Sequence, residues 1–167
     1  MGNGAVDDGR LLRKRPTAFA GAVAVSAHAG DVSPREAWET MLSDPSAQLI
    51  DVRTRPEWMF VGMPDTREAG RDPIALEWQV FPDMQVNAGF GEALERHLEQ
   101  TGASRDAPLM FLCRSGARSS AAASLMTARG WSRAYNVSGG FEGNPDENGH
   151  RGRREGWKAD GLPWRQP

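Results

Sequence analysis

The chain holds one cysteine and one tyrosine in 167 residues. A lone cysteine excludes an internal disulfide framework and a cysteine-based zinc cluster. No stretch approaches the ~20 apolar residues that a membrane span needs, so no membrane partner is expected. Lysine and arginine number 20 against 22 acidic residues, a formal charge of −2. Without an overall basic field, general nucleic-acid binding is not expected either. His28, His97 and His150 fall in no ligand spacing; all three are read as surface groups, with no metal site and no cofactor expected. The apolar share is 39%, with 19 glycines and 11 prolines, which suits one domain with a modest core and much loop.

Residues 1–29 are read as a flexible N-terminal arm, and residues 30–167 as the folded domain. Within the arm, the basic Arg10-to-Arg15 stretch, an alanine- and glycine-rich run from Thr17 to Val25, and Ala27-His28-Ala29 outline a weak secretory signal. Its apolar part lacks leucine, so export is the lesser expectation and a cytoplasmic location the greater. Ser33-Pro34-Arg35-Glu36 is a helix start: Ser33 caps, Glu36 reaches back, and proline fills the first position. Ala37, Trp38, Met41 and Leu42 then form an apolar face. Gln48 to Val52 reads as a buried strand, Arg55 to Trp58 as a turn or helical start, and Ile74 to Trp78 as a strand. Phe90 to Thr101 is an amphipathic helix with Phe90, Leu94 and Leu98 on one side. Ala134 to Val137 is a last short strand ending in Gly139-Gly140, where the backbone must approach something closely or adopt positive φ. Residues 142–156 form an exposed polar excursion, and Trp157 and Trp164 dock the tail on the core. Strands alternating with helices predict a parallel sheet covered on both faces, with its reactive crevice at the strands' carboxyl ends.

Pro108 to Leu112 is an apolar strand that stops at Cys113, and an alanine-rich helix runs from about Ala117 to Arg129, with Gly130 as its stop. A cysteine between a strand's end and a helix start meets converging N–H groups and the positive end of a helix dipole. Arg114 and Arg118 stand within a few residues of it. Both features favour the thiolate, which is the nucleophilic form. Cys113 is therefore the candidate nucleophile of an anion-cradling loop, rather than an inert buried thiol.

The string Cys113-Arg-Ser-Gly-Ala-Arg-Ser119 resembles the active-site loop of single-domain rhodaneses, the thiosulfate-type sulfurtransferases, which typically reads Cys-Arg-x-Gly-x-Arg-Ser. Leu49-Ile50-Asp51-Val52-Arg53 with Glu57, Asn136-Val-Ser-Gly-Gly140 and Gly161-Leu-Pro-Trp164 extend the likeness to roughly residues 30–164. Those proteins usually carry Gly-His-Ile-Pro-Gly near Gly62 and Pro64; that histidine is missing here, so no histidine role carries over. The resemblance implies an α/β, rhodanese-like three-layer α/β/α fold with a small central parallel sheet. It implies Cys113 as the catalytic residue, Arg114, Ser115, Gly116, Ala117, Arg118 and Ser119 as the substrate-binding loop, and Asp51 and Arg53 as its supporting shell. The implied partners are a small anionic sulfur donor such as thiosulfate, and a thiol, cyanide or protein acceptor.

Two other readings bear on the same loop. A sulfur relay or a recognition module would use it without turnover of its own, although the cysteine and both arginines weigh against pure recognition. Cysteine-dependent phosphatases and arsenate reductases place arginine after five intervening residues. Counting from Cys113 that position is Ser119, and the arginine arrives one residue early at Arg118. The shorter loop suits a single sulfur atom better than a tetrahedral oxyanion.

Overall fold

Apolar strands such as Leu109–Leu112, buried at every position, need cover on both faces. That requirement shapes the computed structural model, which describes residues 27–167. The order is β1 (Gly30–Val32), α1 (Pro34–Ser43), β2 (Gln48–Asp51), α2 (Arg55–Phe60), β3 (Met63–Pro64), a 3₁₀ turn (Arg67–Ala69) and β4 (Ile74–Ala75). There follow β5 (Gln79–Val80), β6 (Gln85–Val86), α3 (Phe90–Gln100), β7 (Leu109–Leu112), α4 (Ala117–Ala128), β8 (Ala134–Val137) and β9 (Trp164–Arg165). Five strands make the central sheet in the order β1-β8-β7-β2-β4, and each neighbouring pair is parallel. Two antiparallel pairs, β3 with β9 and β5 with β6, lie outside it.

Side chains alternate across the strands and divide the core in two. Ile50, Leu109 and Phe111 meet Phe90, Leu94 and Leu98 of α3 and Ala122, Ala123 and Met126 of α4. Leu49, Met110 and Leu112 meet Ala37, Trp38 and Met41 of α1, joined by Phe141, Trp157 and Leu162 from the carboxyl-terminal part. The result is the expected three-layer α/β/α architecture around a small parallel sheet. Trp157 is sealed in, its ring edge-on to Trp38 at 6.0 Å, and its Nε1 donates to the Pro163 carbonyl at 2.7 Å. Trp164 is 42% exposed and ties the tail to β3 by strand pairing.

The start of α1 forms as expected, with the Ser33–Glu36 capping box complete. Two details depart from the sequence reading, and two add to it. Leu42 is exposed, because it falls beside the line of Ala37, Trp38 and Met41. The strand expected over Ile74–Trp78 narrows to Ile74–Ala75, although Leu76 and Trp78 still donate to the Asp51 and Val52 carbonyls. Arg55 opens a full six-residue helix. Ala29 already donates to Ala134 O at 2.8 Å, so sheet contacts begin one residue before the expected boundary. The basic stretch and the apolar run of the signal-like segment lie outside the described residues. No helix among the described residues is long and apolar enough to cross a membrane.

Candidate functional site

The site grows from the step between β7 and α4. Gly116, at the helix's N-cap, has φ +118°, a left-handed conformation in which a side chain is strained. That turn aims its N–H at Cys113 Sγ, 3.1 Å away. Ser119, in the helix's first turn, sets its hydroxyl 3.1 Å from the same sulfur. Beneath the loop, Phe141 N–H donates to Cys113 O at 2.8 Å, and Glu142 and Gly143 donate to Arg114 O at 2.9 and 3.0 Å. This close seating depends on Gly140, at φ +59°, where a Cβ would stand 2.5 Å from Cys113 O. The glycine pair thus meets both conditions read from sequence, positive φ and close approach.

Cys113 is 1% exposed, with apolar neighbours on the core side. On its other side it meets a cavity of about 610 Å³, whose walls include Ser115, Ala117, Arg114 and Arg118 of the loop and helix. Thr54, Pro56 and Glu57 of α2 and its cap form a second wall, and Phe81 and Met84 of the β5–β6 hairpin a third. Residues 142–156, read as an exposed excursion, contain no helix or strand and are exposed at their tip. Their base nevertheless supplies Glu142 and Arg151 to the cavity. Sequence reasoning missed Arg151: several arginines sit in that segment, and none carries a local signal for facing inward.

Arg118 and Arg114 differ in their surroundings. Both terminal nitrogens of Arg118 are held by Glu57, Nη1 to Oε2 at 2.8 Å and Nη2 to Oε1 at 2.7 Å. Glu57 Oε2 also accepts from the N–H and the hydroxyl of Thr54, at 2.8 and 2.7 Å. Burial alone would push the Glu57 carboxyl up; the bonds from Arg118 and Thr54 outweigh it and bring it down to about 2. Arg118 is raised, first by its hydrogen bonds with Glu57, against the opposing effect of burial, with Cys113 and Asp51 adding smaller contributions. Arg114 is the exposed cation of the loop.

Asp51 and Arg53 form a fully buried fork-to-fork pair, Nε to Oδ1 at 2.9 Å and Nη2 to Oδ2 at 2.6 Å. Arg53 Nη2 also donates to Gly62 O at 2.7 Å, and its guanidinium lies 4.1 Å over the Phe141 ring. The pair therefore reaches the loop through Phe141, whose N–H holds Cys113 O, and neither member lines the cavity. His97 and His150 are exposed, as expected. His28 is not a free surface group: its Nε2 lies 2.7 Å from Asp31 Oδ1, with 19% of its side chain exposed. Proximity in the chain explains this, since His28 precedes Asp31 by three residues, just before β1 and beside the amino end of β8.

Relatives agree with this architecture. The model of the STR4 middle domain matches residues 29–167. The uncharacterized protein RC0915 of Rickettsia conorii is 36% identical over 134 residues, which is 80% of this chain and 95% of that one. The crystal structure of Rv0390 from M. tuberculosis superposes with a TM-score of 0.72 at 45% identity, over 84% of this chain and all of that one (100%). The chloroplastic protein THYLAKOID RHODANESE-LIKE of Oryza sativa subsp. indica is 30% identical over 138 residues, 83% of this chain and 25% of its own length. The matched span, which takes in nearly all the described residues, shows the family: the chain belongs to the STR4 middle domain family, with rhodanese-like proteins among its relatives.

Proposed function

We propose that the protein is a sulfurtransferase of the single-domain rhodanese type, carrying sulfane sulfur as a persulfide on Cys113. The observation that carries this reading is the sulfur itself: Cys113 Sγ lies at the wall of an arginine-lined cavity and accepts the Gly116 N–H at 3.1 Å. In the first step the Cys113 thiolate attacks the outer sulfur of a donor such as thiosulfate. The donor's S–S bond breaks, and sulfite leaves with the electron pair. In the second step a thiolate or cyanide attacks the outer sulfur of the persulfide, and Cys113 departs as thiolate. Two covalent displacements replace one direct transfer. The Gly116 N–H stabilises negative charge on the sulfur. Arg114, exposed at the cavity, and Arg151 draw the anionic donor in, while Arg118, held by Glu57, buttresses the wall.

The test is thiocyanate formation from thiosulfate and cyanide, combined with mass spectrometry after donor treatment. The wild-type chain gains the mass of one sulfur at Cys113, and Cys113→Ser loses both the added mass and turnover. Turnover unchanged in Cys113→Ser would refute the mechanism. A relay to a protein acceptor is the second reading, favoured by one observation. Met59, Phe60 and Phe81 are 52%, 80% and 56% exposed and line an apolar groove that shares Pro56 and Phe81 with the reactive cavity. Exposed apolar surface of this kind marks a contact site. Sulfur loading without appreciable turnover on cyanide or small thiols would favour the relay.

A further inference from the structure

A line of polar groups runs from the surface to the back of Cys113. Ser119 Oγ, fully buried, lies 3.1 Å from Cys113 Sγ, 2.7 Å from Asn136 Oδ1 and 3.1 Å from Gly116 O. Asn136, on β8 and 6% exposed, turns its Nδ2 to Asp31 Oδ1 at 3.0 Å. The same carboxylate oxygen accepts His28 Nε2 at 2.7 Å.

We propose that Asn136, oriented by Asp31, is a positioning residue that draws the Ser119 hydroxyl hydrogen away from Cys113 Sγ and so sets the balance between thiol and thiolate. A hydroxyl has one hydrogen to give, and here three acceptors surround it. An ionised carboxylate only accepts, so Asp31 fixes the amide with its nitrogen outward and its oxygen on Ser119. Asp31 is ionised at neutral pH: its carboxyl is held below the usual range, first by the Asn136 hydrogen bond and then by His28. With the hydrogen on Asn136, a lone pair of Ser119 faces the sulfur and accepts from the S–H. Forming the thiolate makes the hydroxyl rotate towards sulfur, a charge-assisted bond. That rotation strips the buried Asn136 Oδ1 of its donor, which costs free energy. The amide therefore opposes ionisation, while the Gly116 N–H favours it.

The catalytic consequence rests on the sulfurtransferase reading. In the persulfide the inner Sγ is bonded to the outer sulfur and is no longer a thiolate, so it accepts weakly and Ser119 returns to Asn136 while sulfur is stored. It swings back as Cys113 leaves in the second displacement. Other charged groups around the sulfur act on the same balance: Arg114 on the loop, Arg118 on α4 with Glu57 behind it, Glu142 and Arg151 across the cavity, and the buried Asp51–Arg53 pair beside β7. They are common to all the variants below, so differences between variants isolate the Asn136 effect.

The experiment is the pH profile of Cys113 alkylation by iodoacetamide, which requires no sulfur transfer. Asn136→Ala moves the midpoint down by about one pH unit, the equivalent of the neutral Ser119–Asn136 hydrogen bond that ionisation breaks in the wild type. Asp31→Ala moves it in the same direction, because the released amide can turn its nitrogen to Ser119. Asp31 has 59% of its side chain exposed, so that variant keeps the fold if Asn136→Ala does not. In a Ser119→Ala background the Asn136 substitution has no further effect, a non-additivity that a general loss of packing does not produce. Unmoved or upward-moved midpoints in folded Asp31→Ala and Asn136→Ala would overturn the proposal, as would full additivity with Ser119→Ala. A wild-type chain that forms no persulfide would defeat the sulfurtransferase reading and leave these midpoints as they are.

Discussion

Glutamine at Glu57 removes the charge that Arg118 leans on while keeping nearly the same shape. The wild-type carboxylate takes four hydrogen bonds, two from Arg118 and two from Thr54. Breaking one partner of a buried pair costs about 3–5 kcal/mol, because the other charge is stranded. Here the side chains keep 16% and 19% exposure, at the cavity wall. Solvent on that side lowers the expected loss to about 2–3 kcal/mol, with the amide oxygen retaining part of the bonding. Urea unfolding reads this as a lower midpoint at unchanged slope. The pH dependence separates charge from packing. The folded carboxyl sits at about 2 against an ordinary 4.5. A depressed carboxyl contributes stability that is fully present above its unfolded value and is lost as pH falls through the folded one. The gap between wild type and Glu57→Gln is therefore constant at and above pH 6 and closes from about pH 4.5 downward. A gap that stays the same at pH 3 and pH 7 would show that packing, not the ion pair, carries the loss.

Two further substitutions probe the frame around the loop. Gly140→Ala places a methyl 2.5 Å from Cys113 O and 2.7 Å from Arg114 C, so thermal unfolding should register a loss of about 3 kcal/mol or more, with the alkylation rate of Cys113 altered as the loop shifts. Arg71 gathers the carbonyls of Met41, Asp44, Ala47 and Ala69 at 2.6–2.8 Å beyond α1; Arg71→Leu leaves them without this donor, and denaturant melts should show a loss of about 2 kcal/mol with cysteine reactivity unchanged.

What could be read along the chain is what repeats or caps locally. The run Leu109–Leu112, the face Phe90, Leu94, Leu98 and the Ser33–Glu36 box each announce themselves within a few residues, and each element lies within about two residues of its expected span. Helix α2 carries a weaker signal, enough only for a turn or helical start over Arg55 to Trp58. None of its residues is buried, so it shows no apolar period, and only the Thr54–Glu57 spacing hints at a start. The partner of Glu57 lies 61 residues away on α4, and an ion pair of that range has no local pattern. For this reason Arg118 reads from sequence as a ligand for the donor, whereas its terminal nitrogens hold Glu57. Asn136 carries only a faint sign of its contacts: a polar residue within a short buried strand must find partners.

The engagement of Arg118 with Glu57 bears on how the cavity handles charge. Arg118 and Glu57 form a nearly neutral unit in the wall, since their opposite charges lie 2.7 Å apart. Arg114 on the loop is the cation that this pair leaves unneutralised, and the segment across the opening brings one charge of each sign, Arg151 and Glu142. Arg151 is itself steadied by a 2.6 Å bond to Gly143 O, and the Gly143 N–H holds Arg114 O. One short stretch after Gly140 thus fixes the loop's backbone and also contributes charge to the opposite wall. The loop's heptapeptide alone does not define the charge around the cavity. It is completed by a turn-rich segment whose composition resembles an uninvolved surface loop, and whose base is bound to the carbonyl oxygens of Cys113 and Arg114.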